Sequence, residues 1–222
     1  KRSLLLLVLS GYLLKAQENH RIETLDSLFD IVNSEEKGMG SISIFSNGKE
    51  FYQRSIGYSD IEKNLEANAT TKYRIGSITK TFTALVIMQL VEEDKLKMDR
   101  YLSDFFPDVP NSEKITLEHL LRHESGIFNV TDDKDFTTWM KKLQTREAML
   151  KRIIKNGTLF EPGDETRYSN SNYLLLSYIA EIVEKKDYAA IVEQRIIDKL
   201  HLKNTFYGGK INAKDNQARS YV

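Results

Sequence analysis

The stretch Gly76–Glu93, GSITKTFTALVIMQLVEE, decides how this chain of 222 residues is read. Ile78, Phe82, Leu85, Val86, Ile87, Met88, Leu90 and Val91 cover most of a helical circumference, which predicts a helix from Ser77 to Glu93 buried at the centre of a domain. Ser77 and Lys80 stand at its first turn, three residues apart and so on one face within hydrogen-bond reach. The positive end of the helix dipole favours an alkoxide at Ser77, and Gly76 before it permits close approach of a substrate. A serine hydroxyl is a poor nucleophile until a base takes its proton. Burial of Lys80 against Phe82 and Ala84 is expected to favour the neutral amine needed for that step.

Serine three residues ahead of lysine also occurs at Ser34 with Lys37 and at Ser46 with Lys49. The first pair lies in the charged tail of a surface helix and the second flanks a hairpin turn, so both read as solvated surface. Around them, Ile22, Leu25, Leu28, Phe29 and Val32 recur at helical spacing, and Gly38 and Gly40 punctuate the end of that helix. Ile42 and Ile44 then alternate with Ser41 and Ser43 before Asn47-Gly48, a two-residue turn signal, and a return strand from Phe51 to Gly57. Two strands alone are not stable, so further strands or a covering helix are expected. Beyond Ser77 the pattern is helical: Ile115 to Leu121, Thr145 to Asn156, Ser171 to Glu184 and Tyr188 to Leu200, with loops at Phe128 to Asp135 and Thr158 to Arg167.

Composition narrows the chemistry. With 32 basic and 32 acidic residues the formal charge is zero, so no global field exists to hold nucleic acid or an anionic membrane, and small or peptide substrates are the expected partners. A hydrophobic fraction of 41% is enough to fill a core. Cysteine is absent, which removes disulfides, thiolate metal sites and a cysteine nucleophile. Lys1 and Arg2 precede an apolar run from Leu4 to Leu14, a signal-peptide pattern with Ala16 before the cut; the run falls short of the roughly 20 residues that span a membrane, so export without a stable anchor is expected.

Tyr168-Ser169-Asn170 lies in a polar loop directly before an apolar helix and is the one Tyr-x-Asn in the chain. Together with Tyr73-Arg74-Ile75-Gly76-Ser77-Ile78-Thr79-Lys80-Thr81-Phe82-Thr83, with Leu120-Leu121-Arg122-His123-Glu124-Ser125-Gly126-Ile127 and with Phe160-Glu161-Pro162-Gly163, it resembles successive blocks of the serine β-lactamase-related family, which includes class C β-lactamases, D-alanyl-D-alanine carboxypeptidases and esterase-like serine hydrolases. The resemblance spans roughly Leu25 to Tyr207. It implies an α/β (α+β) fold of the β-lactamase and penicillin-binding transpeptidase type, with an antiparallel sheet lobe built from both chain ends and a helical lobe between them. By the same resemblance Ser77 is the acylated serine, Lys80 its partner and Tyr168 the phenol that shares the proton. Asn170 is implied to hydrogen-bond the lysine and the substrate amide. The oxyanion would be held by the Ser77 backbone N–H and a second N–H from a later strand.

The family's third motif, Lys or His followed by Ser or Thr and then Gly, is not found, and Glu124 stands where Thr is commoner. The expectation is therefore a signal peptide over 1–16 and, over 17–222, the N-terminal part of one serine hydrolase domain whose sheet is incomplete, acting in the periplasm or outside the cell without a cofactor. Its substrate is expected to be an amide, lactam or ester. A second reading keeps the fold without catalysis, as a sensor or binding protein for cell-wall peptide or β-lactam. A third makes His119 and His123, four apart on a helix, ligands of a hydrolytic metal; no glutamate lies between them and no third ligand can be named, so His119 is assigned to the helix surface and His123 to turn capping. Phe136 with Trp139, and Tyr173 with Tyr178, have spacings more common in cores than in clefts and are left without a role.

Overall fold

The computed structural model describes residues 19–221, so the signal expected over 1–16 lies outside the described residues. The chain divides into two compact units, one formed by residues up to Arg74 together with those from Gly208 on, the other by Ile75–Tyr207. The first is the sheet lobe drawn from both ends of the sequence; the second is the helical lobe.

In the first unit a helix, α1, runs over 19–34 and is followed by β1 (Gly40–Ser46) and β2 (Lys49–Ile56), paired antiparallel. Asn47 and Gly48 both have positive φ, 50° and 73°, as a two-residue turn matched to strand twist requires. α1 covers this hairpin: the Tyr52 hydroxyl donates to Asp26 at 2.9 Å, Arg54 pairs with the same carboxylate at 3.1 Å, and the Phe29 and Tyr52 rings stack with centroids 6.1 Å apart. A second small hairpin, β3 (Tyr58–Asp60) with β4 (Leu65–Glu66), is tied to the last part of the chain. Arg219 N–H donates to Ser59 O at 2.9 Å, its guanidinium meets the fully buried Asp60 carboxylate at 2.9 Å, and Lys72 and Ala218 exchange backbone bonds with their partners across the same seam.

The second unit is built on α2 (Thr79–Glu92) and α6 (Asn170–Glu184). Leu175, Leu176, Ile179 and Ala180 of α6 are fully buried against a cluster that includes Val86, Ile87 and Leu90 of α2, Leu117 and Leu120 of α3 (Leu117–Arg122), and Ile153 of α5 (Arg146–Asn156). Thr116 and Thr145 cap α3 and α5, each accepting a backbone N–H from three residues on, which satisfies donors left open at a helix start. A short α4 (Phe136–Trp139) follows a 3-10 turn at Val130–Asp132.

Two expectations change. The predicted helix from Ser77 begins instead as a 3-10 turn, Gly76–Ile78, before α2 proper, and α2 buries one stripe, Thr83, Val86, Ile87 and Leu90, while Ile78, Leu85 and Met88 are exposed. Apolar residues around a whole circumference do not say which face the neighbours cover. The predicted helix over Tyr188 to Leu200 is interrupted: α7 (Tyr188–Val192) widens into a π turn at Glu193–Ile197. There Arg195, nearly buried, makes a two-point pair with Glu93 at 2.7 and 2.9 Å and reaches Glu184 at 2.9 Å, tying the ends of α2 and α6 together. Hydrogen bonds from Arg195 and then Lys95 hold the Glu93 carboxyl down at about 2.

Truncating Leu176 to alanine leaves a cavity between α2, α3 and α6 and is expected to lower the unfolding free energy by about 2–5 kcal/mol in urea denaturation. A loss near zero would show that α6 does not carry the core.

Candidate active site

The first turns of α2 and α6 bring the chemistry together. Gly76 takes a φ of 52°, a left-handed angle that glycine adopts without strain, and this delivers Ser77 exposed at the head of α2. Lys80 follows in the first turn of α2, Tyr168 ends the loop leading into α6, and Asn170 is the first residue of that helix. The Ser77 and Tyr168 hydroxyls are 2.8 Å apart. Lys80 Nζ donates to Ser77 Oγ at 3.3 Å and to Asn170 Oδ1 at 2.8 Å, and Tyr168 OH donates to the same Asn170 oxygen at 3.2 Å. The four residues singled out in the sequence therefore form one hydrogen-bonded cluster. The Ser34–Lys37 pair does not: Ser34 donates to Ile31 O within its own helix and Lys37 pairs with Glu35, while Ser46 and Lys49 are facing partners at the β1–β2 turn.

Lys80 is half-buried, but the groups flanking its amine are the rings of Tyr168 and Tyr173, 4.9 and 5.7 Å from Nζ to the centroids, in place of the expected Phe82 and Ala84. Phe82, two residues on, falls on the opposite side of the helix, and Tyr168 of the preceding loop with Tyr173 of α6 supplies the aromatic wall. Burial alone would raise the Tyr168 phenol; interactions with Lys80 and Ser77, together with the Lys80 charge, outweigh it and hold the phenol below the usual tyrosine range.

Asn170 meets Lys80 through its side-chain oxygen and is held on its other side by the loop at Asn129 and Thr131. Its amide nitrogen donates to Asn129 Oδ1 at 3.1 Å and to Thr131 Oγ1 at 3.1 Å, and its backbone N–H donates to Asn129 Oδ1 at 2.9 Å. Both amide hydrogens are thus bonded inside the protein, and Oδ1 is turned to Lys80 and Tyr168. The loop from Asn129 to Asp135 can be read from the sequence as bordering the site, but with no periodic signal it gives no role to Asn129 or Thr131 individually.

His123 is the left-handed C-cap of α3, with φ 61°, and does more than close a helix. Its Nδ1 accepts the Ser169 backbone N–H at 3.2 Å, Asn172 Nδ2 lies 3.3 Å from the same atom, and its ring sits 4.7 Å from Tyr168 and 5.1 Å from Tyr173. Its neighbour in the motif, Ser125, donates to Asn172 Oδ1 at 2.6 Å. Gly126 lies so close to Phe160 that an added Cβ would stand 2.1 Å from its carbonyl oxygen. The segment 123–126 therefore clamps the loop that presents Tyr168. His119 Nδ1, by contrast, accepts from Thr116 N–H at 3.3 Å inside the α3 capping box.

The beta-lactamase family profile matches residues 33–222. The chain belongs to the beta-lactamase family. It is similar to the protein flp of Staphylococcus aureus, 33% identical over 186 residues that make up 82% of this chain and 37% of that protein. It is also similar to a teichoic acid D-alanine hydrolase of Staphylococcus aureus, 31% identical over 82% of this chain and 44% of that protein. The crystal structure of FmtA from Staphylococcus aureus superposes with a TM-score of 0.72 at 30% identity, covering 86% of this chain and 53% of that one. The chain thus spans about two fifths of the length of the curated relatives it matches. These likenesses show a β-lactamase and penicillin-binding protein fold for this beta-lactamase family chain, as its motifs imply.

Burial, and secondarily the Lys80 charge, push the His123 imidazole below its usual value of 6.5. The unfolded chain therefore takes up this proton before the folded one, so stability present above pH 6.5 is lost as the pH falls through and below that value. The melting temperature is expected to drop over that interval, and His123→Gln to flatten the drop. An unchanged profile would show that His123 does not titrate against folding.

Proposed function

We propose that the chain is a serine hydrolase that transfers an acyl group to water through an ester on Ser77. The observation that carries this reading is the three-way approach of a nucleophile, a lysine and a depressed phenol: 2.8 Å from Ser77 Oγ to Tyr168 OH, 3.3 Å to Lys80 Nζ, and 2.8 Å from that amine to its anchor on Asn170. Ser77 Oγ attacks the substrate carbonyl carbon and its proton passes to the Tyr168–Lys80 pair. The bond to the leaving oxygen or nitrogen breaks, and the pair returns the proton to it. Water then attacks the acyl-serine, gives one proton to the pair and breaks the ester, and Ser77 regains its hydrogen. The products are an acid and an alcohol or amine. The Ser77 backbone N–H is assigned to the oxyanion. Asn170 is a positioning residue, holding Lys80 toward Ser77 while Asn129 and Thr131 hold its amide.

The name of the teichoic acid D-alanine hydrolase supports a D-alanyl group as one acyl class, and among amide, lactam and ester the reading places the ester first. The basic and then apolar start of the sequence supports action outside the cytoplasm.

A fluorophosphonate is expected to label the wild-type protein and spare Ser77→Ala; equal labelling would sink the nucleophile assignment, and no labelling would favour a binding protein. A p-nitrophenyl ester is expected to turn over faster than a D-alanyl-D-alanine peptide, and a chromogenic cephalosporin slowest. Rapid cephalosporin turnover would reverse that order.

Tyr168→Phe is expected to lower kcat by about 10²–10⁴-fold and to remove the ionisation below the tyrosine range from the pH–rate profile. Asn129→Ala, which leaves the Asn170 amide free to turn, is expected to cost about 10²-fold in kcat with a near-wild-type melting temperature. A wild-type rate would show that Asn129 plays no part in holding the cluster.

A further inference from the structure

A pocket of about 380 Å³ lies against the same cluster, with Lys80 and Asn170 among its walls and Phe136, Trp139, Tyr173 and Ser177 among the residues that close it. Its lining is mostly aromatic and aliphatic, and among the described residues that line it Lys80 is the one cation and none is a carboxylate. It is more than twice the size of the roughly 150 Å³ cavity that admits benzene, which leaves room for a ring and the atoms that join it to a reacting group.

Trp139 is 8% exposed, and its Nε1–H is buried with no hydrogen-bond partner among the described residues. Such a donor is costly to leave unmade, and its ring is not free to turn toward another acceptor. Phe136 meets it edge-on at 5.0 Å and the Arg152 guanidinium stacks on it at 4.6 Å. The tryptophan is thus held in the wall of the pocket by these neighbours and offers it the apolar ring, not the buried N–H.

We infer that this pocket receives an uncharged aromatic or branched apolar group of the substrate. This rests on the reading of Ser77 as nucleophile, because Lys80 links the two places: its amine is 3.3 Å from Ser77 Oγ and it also lines the pocket. A group seated there is one side chain away from the reacting carbonyl. The Lys80 charge, with no carboxylate nearby in the lining, repels an ammonium, so an amino-acyl group's own amine is not the occupant. Substrates that fit join a hydrolysable ester or amide to a neutral apolar arm.

Trp139 is the one tryptophan of the chain, so its fluorescence reads the pocket directly and without turnover. Phenylacetamide titrated into the full-length chain is expected to change that emission saturably, in wild type and in Ser77→Ala alike. Half-saturation should come at a concentration at least tenfold lower than for phenethylammonium. Ser177→Leu, which fills the pocket, should raise the half-saturating concentration at least tenfold and lower the kcat/KM preference for p-nitrophenyl phenylacetate over the acetate by a similar factor. No saturable change, or an equal response to the ammonium, overturns the inference even if Ser177→Leu fails to fold. Saturable binding with no ester turned over would leave the pocket assigned and refute the hydrolase reading; turnover that depends on Ser77, without the fluorescence response, would do the reverse.

Discussion

A single hydrogen bond, from the Lys80 amine to the side-chain oxygen of Asn170 at 2.8 Å, joins the first turns of the two helices on which everything else is placed. It has this reach because α2 and α6 pack along their lengths through Val86, Ile87 and Leu90 on one side and Leu175, Leu176 and Ile179 on the other. Rigid, close-packed contacts of this kind set the spacing of the two helix heads to a fraction of an ångström, which side-chain flexibility alone does not do. At the far end of the same helices the Arg195 pairs with Glu93 and Glu184 act as a second tie. The polar bond at the head is therefore the reading-out of an apolar register along the shaft.

Around that bond the polar groups are arranged in layers, each using the hydrogen-bonding capacity of the one inside it. Asn170 gives its oxygen to Lys80 and Tyr168 and its amide hydrogens to Asn129 and Thr131. His123 gives no hydrogen at Nδ1 and accepts from the backbone beside Tyr168, which suits a neutral ring pressed between two tyrosines. An amide whose both ends are committed has one orientation, and so does the amine it holds.

Much of this was legible before any coordinates. The serine, lysine, tyrosine and asparagine sit in short motifs whose order is informative, and the Asn47-Gly48 turn announces its own hairpin because few residue pairs adopt two positive φ angles cheaply. What was not legible depended on partners far away in sequence. Which stripe of α2 is covered is decided by α3, α5 and α6, so Leu85 and Met88 read as core and are exposed. The break after Val192 follows from Arg195 meeting acidic residues about 10 and 100 positions earlier, which a local period does not register. Phe136, Trp139 and Tyr173 have the spacing of ordinary core aromatics, and only their common pocket with Lys80 separates them from such.

The division of the chain into units has a consequence for how it comes off the ribosome. The helical unit is one uninterrupted segment, whereas β3 and the segment after its hairpin are tied, through Ser59, Asp60 and Lys72, to Asn216, Ala218 and Arg219. Those ties close loops of well over a hundred residues, the slowest class of contact to form. The β3–β4 hairpin must therefore wait, with the Asp60 carboxylate still lacking Arg219, until the helices have emerged. Nascent chains stalled just after Tyr207 would carry the helices with the other unit still open, the stage at which a chaperone has most to shield.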